Sequence, residues 1–343
     1  MKPTSHPTNR APSTIGEFCA LVRSATLDPS SGAARTLNTN VGSEGGFLTP
    51  APVPSSLISS IFQRSYLLDR VTRRSTPTGS YDGYVVDESL TTGAGSRFGG
   101  LELPEVGQSG TIPFRRPGLR GVSLAMVKNA VIVPATSELA EDANLTEFFN
   151  EIVPPTLVGL MERRIVGGSG AGQALGVING PALVTQAIEG TQTIANTPQF
   201  IATNAAKMLG QMADIESAAY YVNPELLTSL LTATTNSNEK TVITPPDALA
   251  PFGRIATRPL YPNAAAPAVG TLGDFVCASM SNYLVVTRGD VQQAVSMHVR
   301  FLQDEQLFRF TIRWNGAPML SRPFTPEWAT TPKSHYVALA ARV

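Results

Sequence analysis

Hydrophobic residues recur at helical spacing in the middle of the chain, and this spacing predicts one long helix. The apolar positions that line one face are Leu145, Phe148, Phe149, Ile152, Leu157, Leu160, Met161 and Ile165. Asn144, followed by Glu147 three residues later, has the spacing of a capping box at the helix start. Pro154 and Pro155 each remove a backbone donor, so we expect a kink or an interruption there. If the helix continues across the prolines, its residues, about 144–167, span about 30 Å.

Two stretches alternate between apolar and small or polar residues, as strands with one buried face do. Near the C-terminus, Phe308, Phe310, Ile312 and Trp314 alternate with Arg309, Thr311 and Arg313. Earlier in the chain, "VSLAMVKNAVIV" (122–133) predicts one strand of small and β-branched residues.

The pattern of residues 181–289 predicts a separate α/β module. A helix begins near Pro198, and a strand, "AAYYV", ends at an Asn-Pro turn from which a second helix starts near Pro224. Residues 271–290 contain strand segments, whereas the Pro-rich residues 239–263 are predicted to be loop and turn.

Residues 79–121 form a Gly-rich excursion that holds ten of the 29 glycines and four arginines, with few large apolar side chains. Alternation in "YDGYVV" and "GTIPF" predicts the two legs of a long hairpin. An isolated two-stranded ribbon is marginally stable in water, so this hairpin requires a partner surface.

Residues 1–60 are predicted to form an arm. They begin with a polar, Pro-rich stretch and continue through a short amphipathic element, "TIGEFCALVRS", into turns and extended chain. An arm of this length cannot bury its own apolar residues, so we expect it to lie across another surface.

The glycine run in "ERRIVGGSGAGQALGVING" (162–180) invites a phosphate-binding or catalytic interpretation, but the spacing opposes both. Counted from Gly168, the sixth position of the motif is Gln173, which breaks the dinucleotide fingerprint, and no lysine lies nearby for a Walker loop. A nucleophile elbow centred on Ser169 would need glycine where Ala171 stands. We therefore predict a helix exit followed by a turn at Asn179 and Gly180.

Composition adds no sign of enzymatic chemistry. Formal net charge is zero, so nothing marks the whole chain as a nucleic-acid binder. The two cysteines, Cys19 and Cys277, are predicted to be free thiols in a reducing compartment. The histidines His6, His298 and His335 are isolated, and we predict no metal, no cofactor and no catalytic residue. No apolar run approaches the roughly 20 residues that cross a bilayer, so no membrane partner is expected.

Several segments, in order between about Thr14 and Pro326, resemble the major capsid proteins of tailed bacteriophages of the Hong Kong 97 type. They are "TIGEFCALVRS", "SEGGFLTP", the long helix with its glycine-rich exit, "YYVNPELLTSLL", "FGRIATRPLYPN" and the region from "LGDFVCASM" to "LSRPF". The resemblance implies an α+β Hong Kong 97-like capsid fold, and a virion protein that is assembled in the host cytoplasm and is not an enzyme.

The resemblance also implies a domain layout. Residues 1–60 correspond to the N-terminal arm, and 79–121 to the extended loop that the family calls the E-loop. Residues 181–289 correspond to the axial domain. Residues 61–78, 122–180 and 290–343 correspond to the peripheral domain, whose spine helix is the long helix at about 144–167.

Two features depart from the family pattern. Some relatives begin with a cleaved scaffolding domain, whereas only a short lead precedes the arm here; we expect a separate scaffolding protein or a processed chain. The type member crosslinks an E-loop lysine to an asparagine of a neighbouring subunit. None of the five lysines here lies in the E-loop, so Glu305, which resembles the crosslinking acid, would have no amine to act upon. We expect no such crosslinks.

The function implied is self-assembly, as hexamers and pentamers, into an icosahedral shell around non-specifically held double-stranded DNA. Further implied partners are a portal, a maturation protease and a decoration protein. The residues expected to contact neighbouring subunits lie in the arm, the E-loop and the peripheral domain: Phe47, Leu48, Arg97, Phe98, Leu101, Leu103, Arg115, Arg116, Arg120 and Glu305. The E-loop arginines could pair with acids of a neighbour or remain solvated. An encapsulin-type nanocompartment with an enzyme cargo is the main alternative, and a soluble enzyme is a third.

Overall fold

The structure, a computed structural model, describes residues 65–88, 99–136, 145–189, 197–232, 243–247, 250–300, 303–327 and 329–342. The predicted arm and the predicted cap at Asn144 lie outside the described residues.

The described residues form three helices and a larger number of strands. The helices are α1 (Leu145–Gly167), α2 (Thr197–Gly210) and α3 (Pro224–Thr232). The strands are β1 (Thr72–Ser75), β2 (Ser80–Val86), β3 (Leu119–Ala125), β4 (Val127–Thr136), β5 (Val184–Gln186), β6 (Ala219–Val222), β7 (Arg254–Ile255), β8 (Arg258–Pro262), β9 (Phe275–Ala278), β10 (Tyr283–Thr287), β11 (Gln292–Arg300), β12 (Glu305–Pro318) and β13 (Tyr336–Leu339). Short 3₁₀ turns cover Leu68–Arg70 and Met280–Asn282.

The chain divides into two compact units. The described residues of the smaller unit are 130–136, 145–152, 291–300 and 303–311, and the remaining described residues form the larger unit.

The main core of the larger unit surrounds a six-stranded sheet of order β5-β13-β9-β6-β8-β7. The strands β6 and β9 are buried along their whole length, and Tyr220 and Phe275 stack between them with ring centroids 5.3 Å apart. Apolar residues of α2 and α3 join the same cluster, which is what buries one face of each helix.

Residues 239–263 depart from the loop and turn predicted for them, because β8 pairs in parallel with β6 inside this sheet. Pro259 and Pro262 are the reason that the sequence did not indicate this strand, in which Leu260 and Tyr261 are buried. In the same sheet, β13 pairs in parallel with β5 and antiparallel with β9.

A second sheet has the order β1-β10-β12-β11, and β4 also pairs with β12. In the larger unit, β10 pairs in parallel with β1 and antiparallel with the end of β12. In the smaller unit, the start of β12 pairs with β11. There, Phe149 of α1 packs on Phe308 and Phe310, with ring centroids 4.9 and 5.3 Å away.

Helix α1 runs through Pro154 and Pro155 without the interruption that the sequence suggested. Each proline removes one helical hydrogen bond. Buried side chains hold the helix on both sides of that pair, including Phe149 before it and Met161 after it.

The glycines after α1 form the helix exit that the sequence predicted. The N–H groups of Val177 and Ile178 donate to the carbonyls of Ile165 and Val166, at 2.8 and 3.1 Å, so the returning chain satisfies the last turn of the helix. A Cβ on Gly168 would collide with the carbonyl oxygen of Ala174, which explains why glycine is needed there.

The predicted strand at 122–133 is divided at Met126. Its first part belongs to β3, which pairs with β2, and its second part belongs to β4. Met126 N–H donates instead to the carbonyl of Gly79, where the β2–β3 pair closes. The second leg of the hairpin is therefore β3, and "GTIPF" is not a strand.

Candidate assembly surface

The hairpin formed by β2 and β3 is anchored at its base to the larger unit. Seven residue pairs join the strands, from Ser80 opposite Ala125 to Val86 opposite Leu119. The inward side chains Val122 and Leu124 pack on Leu284 and Val286 of β10 in a small apolar cluster. The base thus buries its own face, as a strand pair must in order to be stable.

Beyond the strands, residues 99–118 form the tip of the hairpin. Gly118 N–H donates to the carbonyl of Gly99 at 2.8 Å, and Asp87 N–H donates to the carbonyl of Gly118 at 3.0 Å. Gly99 and Gly100 have φ of +79° and +77°, a region that side-chain-bearing residues rarely adopt. These bonds close the tip at its neck, and Gly99 is the one buried residue among 99–118.

The tip presents large apolar side chains to solvent. Phe114 is 100% exposed, Leu103 92% and Ile112 76%. Single exposed apolar residues are ordinary on soluble proteins, but a segment of this length that exposes several of them and buries almost nothing marks an interaction surface.

Of the tip residues named from the sequence, Leu103 is almost fully exposed, whereas Leu101 is 37% exposed. Arg115 pairs with Glu102 of the same loop at 3.1 Å. Both side chains are partly exposed, so this pair contributes less than about 1 kcal/mol to stability. Arg116 is exposed, and its pairing with a neighbour stays a prediction.

Arg120 lies lower on the hairpin, in β3. Its guanidinium donates to the carbonyl of Met319 in the same chain, which ties β3 to the residue after β12. Arg97 and Phe98 of the E-loop, and Phe47 and Leu48 of the arm, lie outside the described residues.

Glu305 begins β12 in the smaller unit. Its carboxylate accepts from Arg300 of β11 at 2.6 Å, across the turn that joins the two strands. The acid suggested by the family resemblance is therefore already paired with a cation of its own chain.

The described residues include one free cysteine, Cys277, which is buried. They contain no group of three or more His, Cys, Asp or Glu side chains that could hold a metal ion. Burial raises the pKa of the Cys277 thiol to about 12, although Tyr220 and Arg258 oppose the shift, so this thiol is not a nucleophile at neutral pH. In the part of the chain that the structure describes, no helix is long and apolar enough to cross a membrane.

One contact of the hairpin could not be predicted from the sequence. His335, which precedes β13, is buried, and its Nε2 lies 3.0 Å from Oε2 of Glu88 just beyond β2. The sequence predicted a structural or solvent-facing histidine, but 247 positions separate the two residues, and no local spacing could have paired them.

Comparison with known proteins assigns a family to this architecture. The sequence profile of the phage capsid family matches residues 45–326. No curated protein matches the sequence.

Solved structures that share the fold include the following three. The capsid of an empty GTA particle aligns with a TM-score of 0.59 and 11% identity, over 92% of this chain and 99% of that one. A structure from Microbacterium phage Oxtober96 aligns at 0.54 and 15% identity, over 91% and 99% of the two chains. A structure from Mycobacterium phage Bobi aligns at 0.54 and 11%, over 89% and 97%. At such low identities these likenesses establish the fold alone.

Proposed function

Because this chain belongs to the phage capsid family, we propose that it is the major capsid protein of a tailed double-stranded DNA bacteriophage and that its copies build the head shell. Its α+β architecture is the Hong Kong 97-like capsid fold.

The apolar tip of the hairpin is the observation that carries the proposal. Burying a side chain such as Phe114, Leu103 or Ile112 stabilises a protein by about 1.5–3 kcal/mol each. The described part of the chain leaves all three in water. In a shell, every subunit has a neighbouring copy that can cover these side chains.

The copies form hexamers and pentamers that close into an icosahedron. Obligate contacts of this kind bury about 2,000 to 5,000 Å² per interface. The hairpin supplies part of this area, and the N-terminal arm with Phe47 and Leu48 supplies another part by lying over a neighbour.

The contacts between copies are non-covalent. None of the five lysines lies within 79–121, and Glu305 pairs with Arg300. A loop without an amine cannot form the lysine–asparagine bond of the type member, so interlaced chain and apolar burial hold the shell.

We infer that the packaged DNA is held without sequence preference. The formal net charge of zero gives the chain no strong overall electrostatic attraction for DNA. A portal, a separate scaffolding protein, a maturation protease and a decoration protein complete the assembly, which takes place in the host cytoplasm. An encapsulin-type compartment would instead enclose an enzyme. The absorbance ratio of purified particles at 260 and 280 nm separates these contents.

A double variant of the tip tests the proposal. Leu103→Ser with Phe114→Ser removes apolar surface that no described contact of the subunit uses, so the thermal midpoint of the subunit should not fall. Shell formation, followed by light scattering and electron microscopy, should be lost. The control Ile215→Ser removes an exposed apolar side chain outside the hairpin and should leave assembly intact. Normal shells from the double variant would contradict the proposed role of the tip.

A further inference from the structure

Three arginines of the larger unit lie on one face of the sheet that contains β1, β10 and the end of β12. Arg288 follows β10 and lies opposite Arg313 of β12; its N–H donates to the Arg313 carbonyl at 2.8 Å, which continues the register of these strands. Arg74 of β1 lies opposite Val286 of β10 and is therefore a diagonal neighbour of Arg288. In a sheet, opposite residues have Cβ atoms about 5 Å apart, and diagonal neighbours are about 7–8 Å apart. These three cations, which together form the arginine surface, are close enough to face one partner group.

The arginine surface lies beside the base of the hairpin and remains accessible. Val286, on the same face, packs in the apolar cluster with Val122 of β3, so the hairpin covers that part of the sheet. The arginines next to it are not covered in the same way: Arg74 is exposed, and Arg288 and Arg313 are partly exposed. A partner can therefore reach them along the side of the hairpin.

The arginine surface has no acid of its own chain to neutralise it. Among the described residues, none of its three guanidinium groups forms an ion pair, whereas five other arginines do: Arg73, Arg115, Arg254, Arg300 and Arg342. Arg288 Nε donates to the carbonyl of Pro77 at 3.1 Å, which holds the side chain without cancelling its charge. Like charges directly opposite each other destabilise a sheet. The pair Arg288 and Arg313 therefore costs the single subunit stability that a neutral residue would restore.

The apex of the hairpin tip carries one acid. Residues 103–114 contain a single charged residue, Glu105, among the exposed apolar side chains of the tip. It lies two positions before a turn in which Gly110 N–H donates to the carbonyl of Gly107 at 2.9 Å. Its side chain is exposed, and no ion pair of the described residues includes it.

The other charges of the tip are paired or lie nearer to its neck. Arg115 pairs with Glu102. Arg116 lies two positions before Gly118, whose N–H closes the neck. The apex therefore presents a negative charge within an apolar surface.

We propose that the arginine surface of one copy receives Glu105 at the hairpin tip of a second copy. The chain has 26 basic and 26 acidic residues, so cations left unpaired within one copy are matched in number by acids that an assembly of copies can bring to them. The apolar stems of the arginines also cover apolar surface of the tip.

This inference rests on the proposed function and extends it, because it states where the tip docks. The contact is heterologous: the tip of one copy meets the sheet face of the next. Repetition of a heterologous contact closes into a ring when the rotation between copies allows it. A ring of hairpins, each docked from tip to base, is the form that a hexamer or a pentamer would take.

Packaged DNA is the other anion that a phage head contains, and phosphate also pairs with guanidinium. The position of the arginine surface favours the second copy. The hairpin base occupies the same face next to it, so a narrow loop reaches the arginines more easily than a duplex that is stiff over about 50 nm.

Exchanging the charges tests the contact in an assembly reaction of the purified full chain without DNA. Arg74→Glu with Arg313→Glu makes the arginine surface net negative and keeps Arg288 with its bond to Pro77. This double variant repels Glu105 and should form no shells by light scattering and electron microscopy. Adding Glu105→Arg should restore them. The unassembled double variant should be at least as thermally stable as the wild type, because both new acids lie beside Arg288.

Two further measurements separate a charge contact from damage to the fold. Arg163→Glu, which reverses an exposed arginine of α1, should leave assembly unchanged. Arg313→Gln should raise the protein concentration needed for assembly by up to about fivefold, the effect of one partly exposed ion pair. This difference should shrink in 1 M salt, where charges are screened beyond about 3 Å.

Each outcome decides the inference. Normal shells from the Arg74→Glu and Arg313→Glu double variant, or a failure of Glu105→Arg to restore them, would overturn it. Normal shells whose particles retain less DNA would assign the arginine surface to DNA instead. If the wild type formed small oligomers but no closed shells, the proposed function would be contradicted, and the same charge exchange, followed by sedimentation, would still decide the contact. A wild type that stays monomeric would contradict both.

Discussion

Asp274 and Arg342 form an ion pair in which neither side chain is exposed to solvent. The Asp274 carboxylate also accepts a hydrogen bond from the backbone N–H of Gly270 at 2.8 Å. The backbone N–H of Arg342 donates to the carbonyl of Gly270 at 2.7 Å. These bonds fasten the residues after β13 to the turn before β9, at the edge of the main core.

Removing one partner of this pair should be costly. Arg342→Ala leaves a buried carboxylate without its cation, so we expect a loss of about 3–5 kcal/mol in the free energy of unfolding. Arg254→Ala is the control, because its pair with Asp247 at 2.9 Å is partly in solvent and should cost less than about 1 kcal/mol. Urea denaturation of the unassembled chain measures both. Equal losses of unfolding free energy in the two variants would contradict the larger contribution assigned to the buried pair.

The glycine exit of α1 allows a matched comparison of two alanine substitutions. Gly168→Ala places a Cβ against the carbonyl oxygens of Ala174 and Arg164, and should destabilise the chain by about 3 kcal/mol. Gly159→Ala, inside the same helix, meets nothing within 4 Å and should stabilise it by up to about 1 kcal/mol. Thermal unfolding distinguishes the two, and a neutral Gly168→Ala would refute the account of the helix exit.

Two adjacent phenylalanines of α1 should differ in their contribution to stability. Phe149 is buried against Phe308 and Phe310, so Phe149→Ala should cost about 3–5 kcal/mol. Phe148 is half exposed, and Phe148→Ala should cost much less in the unassembled chain. Chemical denaturation measures the free energy of unfolding of both variants. Similar losses would contradict the placement of Phe149, and not Phe148, in the core of the smaller unit.

The absence of covalent links between copies has a direct assay. Particles boiled in detergent and run on a denaturing gel should give one band near 36 kDa, the mass of the single chain. The prediction follows from the lack of any lysine in the E-loop. A ladder of multimers would refute it.

The parts of the fold that local pattern determines were predictable from the sequence. The spacing of apolar residues indicated α1, and alternation indicated β12, in which Phe308, Phe310, Ile312 and Trp314 are all buried. Pro224 marked the start of α3. The order of several weak motifs indicated the capsid family and its fold, and both are confirmed.

What depended on distant pairing could not be predicted. The residues on both sides of Met126 are alike in type, so only their different partners, β2 for one and β12 for the other, divide β3 from β4. The position of β13 in the six-stranded sheet and the pairing of Glu88 with His335 both join residues far apart in sequence. The domain boundaries and the residues that contact neighbours stay proposals.

Electron cryo-microscopy of the purified full chain shows whether its copies assemble through the hairpin tip. We expect closed shells in which the hairpin tip of each copy, with Phe114 and Leu103, is buried on a neighbouring copy. Compact single subunits in which those two side chains pack against their own chain would contradict it.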